Sequence, residues 1–214
     1  PRGYTGDVYL VITPRSFSVQ LHPGVPLVQL RLFTGDTRFT ELDLEREIHS
    51  GLVWHPSEDR VMRYEEISAS HQDGSLVLTA LVVDGLAGYT CIADPDQVVD
   101  VANIAGYHGS DFFKPVRVTD GMMTLRRGQF YILSGAEKIR LPPTVASEMV
   151  PIDDRLGEFR SHYAGFLDPG WGYGPNGEGQ GRPFTLEVRP YEDILIRPGQ
   201  PVARIKFERM LEAP

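Results

Sequence analysis

Apolar and polar residues change places over short distances along most of this chain, and no apolar stripe of helical period persists for long. The clearest stretch is Phe184-Thr185-Leu186-Glu187-Val188, which alternates residue by residue. A period of two sends successive side chains to opposite faces of a strand. Thr185 and Glu187 therefore share one face, and Phe184, Leu186 and Val188 the other. Related patterns, rich in β-branched and apolar residues, predict strands over 75–83, 87–93, 122–125, 129–134 and 137–141, with an extended segment at 111–115. Asp84-Gly85 and Arg127-Gly128 supply turns, and Pro142-Pro143 closes the run ahead of it. Two segments depart from the pattern. Residues 40–50 predict a short helix, because Thr40 can cap its first turn and the acids that follow complement the helix dipole. Residues 144–149 suit a single helical turn.

The same arrangement of strands and turns occurs twice. Near the start stand Gly3-Tyr4-Thr5-Gly6, a strand from Val8 ending at Pro14, and a strand, Pro23-Gly24 turn and strand reaching Leu30. Near the end stand Gly170-Trp171-Gly172, the strand from Phe184 ending at Pro190, and a strand, Pro198-Gly199 turn and strand reaching Ile205. Internal similarity at this spacing indicates a duplicated structural unit. We read residues 1–36 as the C-terminal end of a first β-unit and 37–214 as a second, nearly complete one. The equivalent of Glu187 in the first copy is Val11, so only the second copy carries the acid.

Composition agrees with an all-β chain. The 22 Gly and 17 Pro among 214 residues are poor in helix interiors and fit many short strands joined by turns. The net charge of −8 argues against a broad basic surface for DNA or RNA, while leaving room for a small anion held by a few arginines. Cys91 is the only cysteine, which excludes an intrachain disulfide and any multi-cysteine zinc site. No apolar run approaches the roughly 20 residues needed to span a bilayer. Without a membrane partner or a signal peptide, the cytoplasm is the expected compartment. The chain opens at Pro1 directly into strand-like sequence and stops soon after its last hairpin, so we expect a piece of a longer polypeptide. The glycine-rich run 172–181 lacks the closing Gly-Lys-Ser/Thr of a P-loop and is expected to be a long hairpin loop.

Several of these motifs resemble one family. Leu125-x-x-Gly128-x-Phe130, followed by Glu137-x-Ile139-x-Leu141-Pro142, is similar to the strand pair of the dCTP deaminase family, within the dUTPase superfamily. Ala164-Gly165-Phe166-Leu167-Asp168-Pro169-Gly170-Trp171 resembles that family's signature, and Thr185-Leu186-Glu187 resembles the strand that delivers its catalytic glutamate. Pro198-Gly199 onward matches its closing hairpin. Ser147-Glu148-Met149-Val150-Pro151 and Gly157-Glu158-Phe159-Arg160 look like the long bacterial form, which carries two dUTPase-like units in one polypeptide. The resemblance implies a dUTPase-like distorted β-barrel or jelly-roll. It also implies a homo-oligomer, trimeric or pseudo-trimeric, with active sites between chains.

The implied reaction is hydrolytic deamination of dCTP to dUTP and ammonia. Its partner is a deoxynucleotide triphosphate that brings its own Mg²⁺. Zinc deaminases rely on a His/Cys cluster; with a single cysteine, this chain is expected to use no zinc and no protein-held metal. A carboxylate takes the proton from water instead, and the resemblance assigns that task to Glu187. By the same resemblance Trp171 lies beside the sugar and base, Asp168 shapes the base pocket, and the Ala164 backbone reads the base edge. His162 is a candidate for base contact. Ser147, Arg155 and Arg160 are candidates for phosphate contact or for orienting the water. The chain departs from the family at one point. Shorter members carry a serine-rich segment and an arginine ahead of the alanine. Counting back from Ala164 selects Arg155, whereas counting forward from Pro142 shifts the register by two. The competing readings are a dUTP diphosphatase, which prefers tyrosine where Trp171 stands, and a non-catalytic nucleotide-binding or scaffold unit.

Overall fold

The computed structural model describes residues 3–70, 73–83, 85–92, 97–118, 120–152 and 165–212. Among them the chain runs β1 (Ser18–Gln20), α1 (Glu41–His49), β2 (Val53–Trp54), a 3-10 turn (Tyr64–Glu66), β3 (Leu76–Thr79), β4 (Leu86–Cys91) and β5 (Val98–Asp100). It continues through the one-turn α2 (Gly109–Phe112), β6 (Phe113–Arg117), β7 (Met123–Leu125), β8 (Tyr131–Ile139), β9 (Val145–Val150), β10 (Phe166–Leu167), β11 (Arg182–Val188), β12 (Ile194–Ile196) and β13 (Pro201–Arg209). The chain is all-β apart from these short helical pieces. It divides into two compact units, one of Pro1–Leu30 with Ile92–Phe112 and one of Arg31–Cys91 with Phe113–Pro214.

The larger unit is built from antiparallel sheets. One has the order β11-β8-β4-β6, with β2 also pairing with β8; another has the order β10-β9-β13-β3; and β12 pairs with β7. Their inward residues converge on one apolar core. Phe184, Leu186 and Val188 of β11 meet Leu133 and Ile139 of β8, Leu76 and Leu78 of β3, and Ile205 and Phe207 of β13. Helix α1 closes part of this core with Leu44 and Ile48, which stand one turn apart and are both fully buried. Its start follows the sequence. The Asp43 N–H donates to Thr40 Oγ1 at 3.2 Å and the Thr40 N–H donates to Asp43 Oδ2 at 2.9 Å, so two otherwise unpaired backbone donors are satisfied reciprocally.

Three expectations are corrected. Segments 129–134 and 137–141 are expected as two strands, but a single strand, β8, runs through both. Gly135 does not break it; the irregularity is taken up as a register shift opposite Pro183 and Thr185. Residues 144–149 form β9 rather than a helical turn. This segment is flanked by β10 and β13, with Val145 opposite Arg209 and Val150 opposite Arg204. Two ladders outweigh the local preference of six residues. Asp111 and Phe112 end a helical turn, and the extended segment starts only at Phe113.

In the smaller unit β1 and β5 pair in parallel, Ser18 opposite Val98 and Gln20 opposite Asp100. His22 Nε2 lies 2.8 Å from Asp100 Oδ1. Phe112 is buried edge-on to Phe17 and Tyr107, with ring centroids 5.1 and 5.5 Å apart. The strands expected from Val8 and up to Leu30 do not form among the described residues, and Val8, Tyr9, Val11 and Leu30 are exposed. Strand propensity is expressed only where a neighbouring strand accepts the ladder, and none among the described residues does so here.

Candidate active site

Strand β11 positions Glu187 by the alternation visible in the sequence. Phe184, Leu186 and Val188 are buried to 1% exposure or less, so the strand cannot turn over without expelling three large side chains from the core. Thr185 and Glu187 are left on the outer face. Residues paired in an antiparallel ladder share a face. Glu187 stands opposite Ile132, Ile132 opposite Tyr89, and Tyr89 opposite Pro115. Beside this row, Thr185 faces Ser134. One residue past the end of β11, the Arg189 guanidinium lies over the Phe130 ring, 5.8 Å from its centroid, and donates to the Gly128 carbonyl. The Glu187 carboxylate is exposed and takes no hydrogen bond or ion pair among the described residues. With no partner among the described residues, this carboxylate above a half-apolar row is open to a ligand hydrogen bond.

The Asp168-Pro169-Gly170-Trp171 motif is a tight turn. The Trp171 N–H donates to the Asp168 carbonyl at 3.1 Å, with Pro169 and Gly170 as its central residues. Gly170 has φ +87°, which glycine adopts without a steric penalty at the third position of a type II turn. A second turn follows at once, the Tyr173 N–H donating to the Gly170 carbonyl at 3.1 Å. Trp171 packs against the core and its carbonyl accepts the Leu141 N–H at 2.8 Å; its indole Nε1 is enclosed without a partner among the described residues. Asp168 is exposed.

The glycine-rich loop that follows is ordered. The Gly179 N–H donates to the Tyr173 carbonyl at 2.6 Å, and the Gly181 N–H to the Gly172 carbonyl at 3.0 Å. Arg140 clamps it from outside: its guanidinium stacks 4.3 Å from the Tyr173 ring centroid and donates to the Gly177 carbonyl at 2.5 Å. The sequence showed the loop but not its clamp, because Arg140 and Tyr173 are brought together only by the path of the loop.

The remaining predicted residues fall in two groups. Ser147 sits on β9 opposite Leu167 and Phe207. It is fully buried, and its hydroxyl has no partner among the described residues. Arg155, Arg160, His162 and Ala164 lie outside the described residues. Strand β8 holds a carboxylate that sequence reasoning used only as a motif position. Glu137 accepts the Thr79 N–H at 2.9 Å and the Thr79 hydroxyl at 2.7 Å. Burial pushes its pKa up against these hydrogen bonds. No sequence signal distinguished it from an exposed strand residue.

Comparison with known proteins follows the same landmarks. The model of the 2'-deoxycytidine 5'-triphosphate deaminase C-terminal domain matches residues 54–214, and that of the corresponding N-terminal domain matches residues 1–36. A solved structure, that of 2'-deoxycytidine 5'-triphosphate deaminase from Agrobacterium tumefaciens, is similar at 30% identity with a TM-score of 0.65. The similarity covers 84% of this chain and 50% of that one, so the chain spans half the length of this relative. No curated protein matches the chain.

Proposed function

The chain belongs to the 2'-deoxycytidine 5'-triphosphate deaminase family, and from that premise we propose that it deaminates dCTP to dUTP and ammonia, with Glu187 as the group that moves the protons. The observation that carries this reading is the placement of Glu187. It is a carboxylate with no partner among the described residues, held on the outer face of a strand whose inner face is sealed into the core. As a water oxygen bonds to C4 of cytosine, the Glu187 carboxylate accepts one water proton. The same proton then passes to the amino nitrogen, the C4–N bond breaks, and ammonia leaves. The other water proton ends on ring N3, which completes the uracil. General acid–base assistance of this kind contributes about 10²–10⁴-fold in rate. The reaction draws on a carboxylate and water, and Mg²⁺ arrives with the triphosphate as part of the substrate.

By the family resemblance Trp171 and Asp168 would serve the sugar and base, and Ala164, His162, Arg155 and Arg160 belong to the segment that leads in sequence into their turn. Ser147, buried on β9 in the other sheet, is assigned no step. In a single chain the Glu187–Ile132–Tyr89 row faces outward, with Tyr89 42% exposed. Proton transfer of this kind gains from a site that excludes water. We therefore propose that the row is covered on assembly into a trimer or pseudo-trimer. The test is to incubate the full-length protein with dCTP and with dUTP. Ammonia released from dCTP, and its loss in Glu187→Gln with nucleotide binding retained, is the expected result. Substantial turnover in Glu187→Gln would reject the role of this residue. Pyrophosphate from dUTP in place of ammonia from dCTP would reassign the reaction to phosphorus.

A further inference from the structure

Strand β10 is only Phe166 and Leu167, at the edge of its sheet, and it runs directly into the Asp168–Trp171 turn. Its ladder is two residues long: Phe166 stands opposite Glu148 and Leu167 opposite Ser147, and the Met149 N–H donates to the Gly165 carbonyl at 2.7 Å. So short an edge strand is held weakly by its ladder alone. Side chains hold it from both faces. On one face Leu167 is buried in the core. On the other the Arg31 guanidinium lies over the Phe166 ring, 4.8 Å from its centroid. We propose that Arg31 is a positioning residue for nucleotide binding, acting through Phe166 on the Asp168–Trp171 turn; the nucleotide rests on the deaminase reading above.

Arg31 is itself fixed. Its guanidinium reaches Glu148 on β9 at 3.4 Å and Glu208 on β13 at 3.2 Å, and lies 5.6 Å from the Phe33 ring centroid. Neither carboxylate has another ion-pair partner among the described residues. Lys206 stands opposite Glu148 in the ladder but pairs with Asp73 at 3.0 Å. The Glu208 side chain is only 12% exposed, so water screens this pair less than an open surface pair. A planar guanidinium can bond carboxylates at its edge while its face covers an aromatic ring, which an ammonium cannot do. Phe166 and Glu148 are cross-strand partners. One arginine therefore grips β9 and covers the β10 ring at the same time, tying down an edge that two ladder positions would leave to fray. Asp168 follows Leu167 directly, so a shift of β10 moves the turn, and misplaced binding groups lose binding energy. Arg31 falls within residues 1–36, which match the N-terminal domain, whereas Phe166, Asp168, Trp171 and Glu187 fall within the C-terminal match. By its contacts Arg31 belongs to the larger unit. The copy that has Val11 in place of the acid thus contributes a side chain to the copy that has Glu187.

The test uses the full-length protein. It compares wild type with Arg31→Met, which keeps an unbranched stem and loses the charge, Arg31→Lys, which keeps the charge and loses the planar face, and the exposed control Arg197→Gln. Amide exchange over residues 166–171 should accelerate about fivefold or more in Arg31→Met, with β12 as the unmoved reference. The Kd for dCTP from calorimetry and the KM should both rise about threefold to tenfold, with kcat within about twofold. Arg31→Lys should fall between wild type and Arg31→Met, and Arg197→Gln should match wild type. In a Phe166→Leu background, Arg31→Met should change the Kd by under about twofold, because the ring it acts through is gone. A lower Tm in Arg31→Met with exchange at 166–171 and dCTP affinity unmoved would make Arg31 a general stability residue and overturns the proposal. Faster exchange with unmoved dCTP affinity overturns it too. A wild type that binds dCTP and releases no ammonia sinks the deaminase reading, while the role of Arg31 stands if exchange and Kd respond as stated; a wild type that does not bind dCTP overturns both.

Discussion

The strand that carries Glu187 is seated by one aromatic ring on one glycine, and that contact can be tested quantitatively. Phe184 is fully buried, and a Cβ placed on Gly135 would lie 1.6, 2.1 and 2.2 Å from three atoms of its ring. Contacts of that length lie far inside van der Waals distance, so Gly135→Ala must push the ring through well over an ångström of filled core. Overpacking of this kind costs about 1–3 kcal/mol. Phe184→Ala removes the ring and leaves a cavity, costing about 3–5 kcal/mol. In the double variant the methyl group added by Gly135→Ala enters space the ring has vacated. The overpacking cost is then removed and the cavity partly filled, so the double variant is expected to be less destabilised than the sum by about 1–3 kcal/mol. Urea denaturation of all four proteins measures the cycle. For a chain of this length each 1 kcal/mol also moves Tm by about 2–4 °C, so Phe184→Ala should lower it by roughly 6–20 °C. Additivity within about 0.5 kcal/mol would show that ring and glycine do not share this space, and the account of how β11 is seated would fail.

Three further outcomes are expected. Burial raises the Glu137 pKa in the folded state; the folded protein therefore holds this proton more tightly than the unfolded chain, and the stability it contributes is full below the ordinary glutamate pKa and lost as pH rises through the folded one. Glu137→Gln, which keeps an acceptor for the Thr79 N–H, should flatten the fall in Tm with rising pH over that window; an unchanged slope would refute the assignment. Arg140→Ala removes both the stack on Tyr173 and the hydrogen bond to Gly177, so amide exchange over residues 172–181 should accelerate about tenfold, with exchange in β13 as the unmoved reference. Thr40→Ala deletes the reciprocal cap of α1 and should cost about 1 kcal/mol, read as a drop of about 2–4 °C in Tm; no change would mean that the core contacts of Leu44 and Ile48 hold the helix without its cap.

Local physics was legible in the sequence wherever a residue's neighbours along the chain decided its state. The alternation at 184–188 placed Glu187 on the outer face because burying Phe184, Leu186 and Val188 leaves no other orientation. Thr40 marked the start of α1 because capping joins groups three residues apart. The Pro169-Gly170 pair specified a turn because proline and glycine restrict or permit backbone angles by themselves. What the sequence could not decide depended on partners distant along the chain. Residues 144–149 became β9 only because β10 and β13 flank them, and residues 131–139 became one strand because the Phe184 ring fits over Gly135. The segments around Val11 and Leu30 have strand-forming sequence yet form no strand among the described residues, since a ladder needs a second strand. The Arg140 clamp and the half-buried Glu137–Thr79 pair are likewise products of tertiary approach. Propensity and periodicity are properties of a segment, whereas hydrogen-bond satisfaction, burial and charge proximity belong to pairs of segments, and only the folded chain brings those pairs together.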